Sequence, residues 1–403
     1  MSGETPAADP GAPYRHRLSL LADGRIVEGL LDSWAAEQSS PHRFGNWRRI
    51  HGKLQPQRSP WALLVFRADS GDTVGVRLLE PDDDTALSRR GGPQPVGDLG
   101  VAEIMPCVQD PALPGLRPVL EALEDARVVR YHPGSRCIVH GGLGPSGRYV
   151  KVFSSETDDQ QEAHDRWAVS NSGALTFAVA EPQGWEERSR SSWYGVVPGD
   201  PLGPRLRGPE SLRLGRQVGI SLGELAVAPL RPTHTDDAAQ QLMRTARAVA
   251  RGAAATPGLS SGLQRGLAVL TRIHEGLGPR PLVPVHGAAH PGQWLVDGTG
   301  RLGLVDFDRY AWGEPEFDLA SFLIEREALA KGRPDEAFQE AVVDGFREVA
   351  GRADEARLAL YLAHRRLVRV ARFAAGLRPD DGERAARALE ELDVLLRTLV
   401  NHP

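Results

Sequence analysis

The side chains whose types and spacing could do chemistry lie in one short stretch of the sequence. His286 and His290 belong to a single segment, and Gln293 follows three residues later. An apolar run then ends at Asp306, with Asp308 two residues beyond it. A carboxylate at the point where a buried strand enters a loop is well placed to hold a metal ion, and oxygen atoms are the ligands that hard cations prefer.

Three local elements must position these side chains. The segment with His286 leads into a short apolar strand at residues 294–296, and a glycine-containing turn at 297–300 connects it to a second strand at 302–305. Two apolar runs separated by such a turn are typical of a β-hairpin. The sequence therefore predicts a hairpin between the histidine-containing loop and the carboxylate pair.

Three motifs in this order resemble the catalytic segment of the aminoglycoside phosphotransferase and choline kinase superfamily. That family usually shows H-G-D-x-H-x-x-N, then an apolar strand ending in Asp, then G-D-P-x-x-D-L-A. The corresponding segments here are HGAAHPGQ at 286–293, LVDFD at 304–308 and GEPEFDLA at 313–320. The resemblance implies an α+β fold of the two-lobed protein-kinase type, with a β-rich small lobe and a mostly helical large lobe.

Two positions of the first motif differ from the family pattern. The family's Asp positions and deprotonates the attacking hydroxyl, and its Asn holds magnesium together with the strand-end Asp. Those positions are Ala288 and Gln293 in this chain. Ala cannot accept a proton, whereas the amide oxygen of Gln can still reach a metal ion. The resemblance therefore implies Asp306 and Gln293 as metal ligands in a catalytic loop altered at Ala288.

Asp308 and His290 are the candidates to orient the acceptor hydroxyl in place of the missing carboxylate. Asp308 can point to the same side of an extended segment as Asp306, and a histidine exchanges protons near neutral pH. The alternatives are a second magnesium ligand or loop acceptor for Asp308 and a bracing role for His290. The resemblance also implies that His286 and Asp318 brace the loop, Asp318 by accepting from buried backbone donors.

A lysine on a predicted strand is the candidate for nucleotide binding. The chain has three lysines among 48 basic residues, and Lys151 lies in the apolar run 148–153 after a glycine-rich loop. An ammonium and a guanidinium are not interchangeable. The resemblance implies that Lys151 contacts the α- and β-phosphates of ATP and is held by Glu162, or alternatively Glu156, from the next helix. The competing interpretations are an edge-strand lysine for Lys151 and a solvated helix face for Glu162.

Four further basic residues lie close together on a predicted helix at 354–375. Arg365, Arg366, Arg369 and Arg372 could clamp a phosphate or carboxylate of a substrate. A solvated basic face is the interpretation that charge runs usually favour.

Composition limits the classes of protein. Of the 403 residues, 41% are hydrophobic and 25% are charged, as in ordinary globular proteins. We find no apolar run of about 18 residues, so no transmembrane helix or membrane partner is predicted. The net charge of −5 does not favour nucleic acid as a partner. Cys107 and Cys137 are predicted to be reduced thiols of a cytoplasmic protein, with a disulfide as the alternative.

The domain organisation follows from the motifs and from breaks in composition. A hairpin at 61–79 is similar to the one at 136–153, so a partial duplication of the small lobe is an alternative to an unrelated extension. We expect a disordered N terminus at 1–13, a β-rich extension at 14–125, a small lobe with its hinge at 126–200, and a large lobe at 201–403.

These patterns predict an ATP- and magnesium-dependent phosphotransferase that acts on the hydroxyl of a small molecule. The alternative from a different class is a pseudokinase, which would bind a nucleotide or another ligand without phosphoryl transfer. A peptide side chain is a further possible acceptor. No motif indicates which acceptor is bound.

Overall fold

The chain folds into an α+β structure in which antiparallel sheets precede a mass of helices, as predicted. The computed structural model describes residues 12–38, 44–55, 60–80, 94–142, 147–154, 168–329, 335–378 and 380–401. Within these residues the α-helices are α1 (Ala12–Asp23), α2 (Arg25–Ala36), α3 (Leu116–Ala122), α4 (Leu202–Arg205), α5 (Ser211–Val227), α6 (Ala238–Ala255), α7 (Ser260–Leu277), α8 (Pro315–Leu329), α9 (Glu336–Ala350), α10 (Glu355–Ala374) and α11 (Asp381–Asn401).

The strands of the same residues form four sheets. They are β1 (Trp47–Leu54), β2 (Ala62–Ala68), β3 (Thr73–Leu79), β4 (Gln94–Pro95), β5 (Val101–Pro106), β6 (Arg127–His132), β7 (Arg136–Gly141), β8 (Arg148–Phe153), β9 (Ala178–Val179), β10 (Pro182–Glu186), β11 (Ser191–Gly195), β12 (Asp200–Pro201), β13 (Thr235–Asp236), β14 (Val283–Val285), β15 (Trp294–Val296), β16 (Leu302–Leu304) and β17 (Ala311–Gly313).

The N-terminal extension begins with two helices that were not predicted from the sequence. In α2 the buried residues Val27, Leu31 and Ala35 are four positions apart, which is helical spacing. They share a core with β1 to β3, so the extension is a sheet covered by helices rather than strands alone. The expected disordered segment 1–13 also needs correction, because α1 begins at Ala12; residues 1–11 lie outside the described residues.

The extension and the small lobe contain sheets with the same strand order. The first sheet runs β1-β2-β3-β5-β4 and the second runs β6-β7-β8-β11-β10. All neighbours are antiparallel in both sheets. The third strand carries Arg77 in the first sheet and Lys151 in the second, and Arg77 pairs with Glu103 at 3.0 Å. This order favours the hypothesis that the small lobe was duplicated.

Most helices of the large lobe lie where the sequence predicts them. The helix predicted at 354–375, for example, is α10 at Glu355–Ala374. Helix α8 was missed because nearly all of its residues are buried, including Phe317, Phe322 and Ile324. A helix that is buried on nearly every side, with charged residues among its buried positions, has no single polar stripe to reveal its period.

The two cysteines are buried and do not form a disulfide, as predicted. Burial raises the pKa of Cys107 to about 12, so its thiol is protonated at neutral pH. Among the described residues, no helix has both the length and the apolar character needed to cross a membrane.

A buried pair of histidines connects three helices of the large lobe. The Nε2 atoms of His274 and His364 are 2.7 Å apart, and His364 Nδ1 lies 3.0 Å from the hydroxyl of Thr245. That hydroxyl donates to the carbonyl of Gln241, so it accepts from His364 Nδ1. Burial lowers the pKa of His364 to about 3, with a further contribution from His274.

We expect the free energy of unfolding to fall as the pH is lowered below 6.5, because the unfolded chain then binds a proton that native His364 excludes. At pH 4.5 the loss is on the order of 3 kcal/mol, because each of the two pH units below 6.5 contributes roughly 1.4 kcal/mol. Urea unfolding at pH 7 and pH 4.5 would show a smaller loss in His364→Gln than in the wild type. The same substitution at exposed His16 is the control, and equal losses in His364→Gln and wild type would contradict the assignment.

Candidate active site

The predicted hairpin is present and brings Gln293 next to Asp306. Strands β15 and β16 pair from Trp294 opposite Leu304 to Val296 opposite Leu302. One residue further, the Val305 N–H donates to the carbonyl of Gln293 at 3.0 Å, which continues the ladder to the end of the strand. The loop and the carboxylate pair are thus fixed to each other by backbone hydrogen bonds.

Asp306 is contacted from both lobes. Gln293 Nε2 donates to Asp306 Oδ2 at 2.7 Å, and Lys151 Nζ of β8 donates to Asp306 Oδ1 at 2.9 Å. Asp306 has φ of 70°, in the left-handed region that costs a non-glycine residue about 1 kcal/mol or more. Such a backbone is held only where the surrounding contacts fix it.

Asp308 is held by two cations of the small lobe. Lys151 Nζ donates to its Oδ1, and Arg136 Nη1 on β7 donates to its Oδ2 at 2.6 Å. The Lys151 side chain is only 7% exposed. Its strand lies between β7 and β11, so the interpretation as an edge-strand lysine is wrong. The structure therefore brings together Lys151, Gln293, Asp306 and Asp308, whereas Glu162 and Glu156 lie outside the described residues.

The loop at 286–293 is held to α8 through Asp318. The backbone N–H groups of His286 and Gly287 donate to Asp318 Oδ2 at 2.7 and 3.3 Å, and that of Ala289 donates to Oδ1 at 3.4 Å. Burial raises the pKa of Asp318 to about 6, although these hydrogen bonds oppose the shift. The ring of His286 donates from Nε2 to the carbonyl of Val305 at 3.0 Å. Burial lowers the pKa of His286 to about 4, so the ring is neutral at pH 7.

Replacing Asp318 with Ala should lower the free energy of unfolding by about 2–4 kcal/mol, because three loop N–H groups lose their acceptor in a buried place. Urea unfolding at pH 7 measures the loss. Asp318→Asn is the matched control, since it keeps one acceptor oxygen and should lose less. Equal stability of Asp318→Ala and the wild type would show that the loop does not depend on this carboxylate.

Both candidates for the missing base already accept hydrogen bonds in this geometry. His290 Nδ1 accepts from the Gly292 N–H at 3.1 Å, so the neutral ring carries its proton on Nε2. Burial lowers the pKa of His290, which keeps the ring neutral, while Glu325 opposes the shift. Both carboxylate oxygens of Asp308 are in the ion pairs described above. Ala288 itself offers only its backbone, whose carbonyl accepts from His290 N at 2.7 Å.

Arg365 and Arg366 of α10 are not on a solvated face, so that expectation is wrong for these two, whereas the Arg372 side chain is 59% exposed. Arg365 is 11% exposed and pairs with Glu325 of α8 at 3.2 Å, and Arg366 pairs with Glu327 at 2.8 Å. Burial lowers the pKa of Arg365 to about 10, with repulsion from Arg372 adding to the shift. The pairing was not predictable because the helix that carries both glutamates was missed.

Glu314 and Asp236 are two further buried carboxylates. The sequence does not indicate the side chains that bind them. Glu314 accepts two hydrogen bonds of 2.8 Å from Arg357 Nη1 and one of 3.1 Å from the Tyr361 hydroxyl. Asp236, on β13, is bound by Arg244 and by Gln241 at 2.6 Å. Burial raises the pKa of Asp236, whereas the positive charges of Arg244 and Arg309 lower it.

Comparison with known proteins places this site in a family. The model of the phosphotransferase enzyme family matches residues 150–361, just over half of the chain, and the chain therefore belongs to that family. The resemblance carried by the three motifs is thus confirmed. Comparison with curated protein sequences gives no match.

Solved structures show the same fold at low sequence identity. A choline kinase from Cryptosporidium parvum Iowa II is 11% identical, with a TM-score of 0.53 over 72% of this chain and 94% of that chain. A choline/ethanolamine kinase family protein from Mesorhizobium loti is 13% identical, with a TM-score of 0.50 over 71% and 94% of the two chains. At these identities the similarity establishes the two-lobed kinase-like fold.

Proposed function

We propose that this protein is an ATP- and magnesium-dependent phosphotransferase that acts on a hydroxyl group of a small molecule. The observation that carries the proposal is that Asp306 of the large lobe accepts from Lys151 of the small lobe at 2.9 Å and from Gln293 of its own lobe at 2.7 Å. A phosphate-binding cation and metal-binding oxygens at one point are the minimum that phosphoryl transfer needs. Membership of the phosphotransferase family supports the same reaction class.

The residues present fit magnesium. Asp306 supplies carboxylate oxygens, and Gln293 supplies an amide whose oxygen can face the same point, because the two ends of an amide are interchangeable by rotation. Magnesium is usually held by one or two carboxylates together with substrate phosphates. When bound, the ion neutralises charge on the phosphate oxygens.

The chain's own residues then have distinct roles. Lys151 would contact the phosphate oxygens of ATP, and Asp306 together with Gln293 would hold the ion. Arg136 keeps Asp308 oriented at the interface of the lobes, and Asp318 holds the loop in place. Positioning and neutralisation of charge supply most of the rate in phosphoryl transfer. A general base adds a factor of about 10² to 10⁴, so the loss at Ala288 slows the reaction without removing its other contributions.

The second candidate function is a pseudokinase, and one observation favours it. The chain has Ala288 at the base position, and the two possible substitutes, Asp308 and His290, already accept hydrogen bonds from other groups. A protein of this kind would bind the nucleotide and leave the acceptor unmodified. The two functions share the nucleotide site and differ only in turnover.

Thermal unfolding with and without MgATP tests the shared site. At 100 times its dissociation constant, a ligand stabilises the native state by about 2.7 kcal/mol, which is a few degrees for a chain of this size. We expect such a shift with MgATP and a smaller one with magnesium alone. The absence of a shift in the unfolding temperature at millimolar MgATP would contradict both the phosphotransferase and the nucleotide-binding pseudokinase.

A further inference from the structure

A cavity of about 620 Å³ lies between the N-terminal extension and the large lobe. One wall is β1, from Arg49 to Leu54, and the other is formed by α6, the end of α10 and the connection to α11. The walls are in contact at Gly52, where an added Cβ would lie 2.5 Å from Leu377 Cδ1. Arg49 Nη2 also donates to the carbonyl of Leu377 at 3.2 Å. The volume is within the range of small-molecule sites, roughly 300–1,000 Å³.

The charge of this cavity is opposite to that of the whole chain. The chain carries −5, yet the cavity is lined by five Arg or Lys side chains and by one carboxylate, Asp381. That carboxylate is already engaged, because it accepts from the Arg384 side chain at 2.8 Å and from the backbone of Arg378 at 3.0 Å. We call this site the basic groove and define it by Arg49, Lys53, Arg251, Arg372 and Arg378.

The cations of the basic groove come from separate elements. Arg49 and Lys53 are on β1, Arg251 is on α6, and Arg372 is in the last turn of α10. A cation at a helix C terminus interacts favourably with the helix dipole. This effect explains the position of Arg372, but it does not explain the cations on β1 and α6. The side chains of Arg251 and Arg378 form no ion pair or hydrogen bond within the described part of the chain. Arg251 and Arg378, which line one cavity without a counter-ion among the described residues, are therefore available to bind an anion.

The basic groove reaches the catalytic loop through Arg372. This residue lines the groove, and it also pairs with Glu325 at 3.2 Å, the same carboxylate that binds Arg365. The charges of Arg365 and Arg372 are close enough to contribute to the lowered pKa of His290 after burial. The pKa of Arg309 is lowered mainly by burial and next by the charge of Arg244. The charge of Arg372 makes a smaller contribution in the same direction. A chain of arginines therefore extends from the altered loop into the groove.

We infer that the acceptor of this phosphotransferase is an acid: a small hydroxyl compound whose phosphate or carboxylate group is bound by Arg251, Arg372 and Arg378 in the basic groove. The inference rests on the proposed function for the location of the hydroxyl at the catalytic loop. Guanidinium groups bind phosphate and carboxylate oxygens in pairs of charge-assisted hydrogen bonds. The extension then has a functional part, since β1 forms one wall of the acceptor site. A cationic alcohol is disfavoured by the same charges.

Calorimetric titration with two probe anions, inorganic phosphate and malonate, tests the groove without nucleotide or magnesium. The wild type should bind at least one of them, and the preferred probe distinguishes a phosphate site from a carboxylate site. The double variant Arg251→Ala/Arg378→Ala should bind at least tenfold more weakly, as the loss of charge-assisted hydrogen bonds predicts. Arg265→Ala, on the exposed face of α7, removes the same charge elsewhere and should bind like the wild type.

Lys151→Ala separates this inference from the proposed function. It should abolish the shift with MgATP and leave anion binding unchanged, because Lys151 is outside the groove. Binding of neither anion by the wild type, or wild-type affinity in the double variant, would overturn the inference. Loss of anion binding in Lys151→Ala would also overturn it, since the anion would then be at the nucleotide site. A protein that binds the anions through the groove and fails to bind MgATP would instead refute the phosphotransferase.

Discussion

Replacing Asp306 with Asn is expected to remove the MgATP-dependent thermal shift and to lower kcat/KM by about 10³ or more. The substitution keeps the size of the side chain and its contact with Gln293, but it removes the charge that would hold the metal ion. Losing one such preorganised electrostatic group typically costs about 10² to 10³, and loss of the ion adds its own contribution. The shift and the initial rate of phosphoryl transfer are the two measurements.

Asp297→Asn is the matched control for this prediction. Asp297 is in the turn of the same hairpin, where its carboxylate accepts from the N–H groups of Thr299 and Arg301 at 2.8 and 2.9 Å. It therefore reports on damage to the hairpin without a change at the site. If Asp306→Asn kept the shift and a rate within threefold of the wild type, the metal site would have to lie elsewhere.

Restoring a carboxylate with Ala288→Asp is expected to raise the transfer rate by about 10² to 10⁴, the usual contribution of a general base. The loop that presents position 288 is still built, because Asp318 binds the backbone on both sides of it. Ala288→Asn is the control, since it has nearly the same shape and cannot take the proton. Rates at saturating MgATP should be compared for all three proteins over a panel of acidic alcohols.

The result also separates the two proposed functions. A wild type with measurable turnover that gains from Asp is a slow phosphotransferase, and a wild type without turnover that gains activity is a pseudokinase. No gain in a protein that already turns over would contradict the prediction and show that another group has taken over the base. His290 would then be the first residue to replace. It could act as the base only if its Nδ1 atom released the hydrogen bond from the Gly292 N–H.

The sequence was sufficient where short motifs fix the geometry. The hairpin and the strand-end Asp306 follow from local patterns, and the position of Asp318 follows from the family resemblance; Asp306 lies within hydrogen-bonding distance of Gln293, and Asp318 of the His286 N–H. Contacts between lobes were not predictable in the same way. Arg136 and Asp308 are 172 positions apart, and nothing in strand β7 distinguishes that arginine from a solvent-exposed one.

Charge patterns were the least reliable guide to position. The run around Arg365 is typical of a solvated helix face, and only the tertiary arrangement shows that α8 supplies its glutamates. The basic groove could not be predicted either, because its cations come from β1, α6 and α10. Periodicity reports on one element at a time, whereas a binding site is formed where several elements meet.

The hydrophobic core beneath β2 has a consequence for how the molecule unfolds. Val65 of the extension is buried in one cluster with Tyr131, Val139 and Val150 of the small lobe. Residues that share a core lose their contacts together, so the extension and the small lobe should melt in a single cooperative transition. A shortened protein that begins at residue 126 would lose Val65, expose what remains of this apolar cluster and aggregate. Residue 125 thus separates two sheets, but we do not expect the segments on its two sides to fold independently.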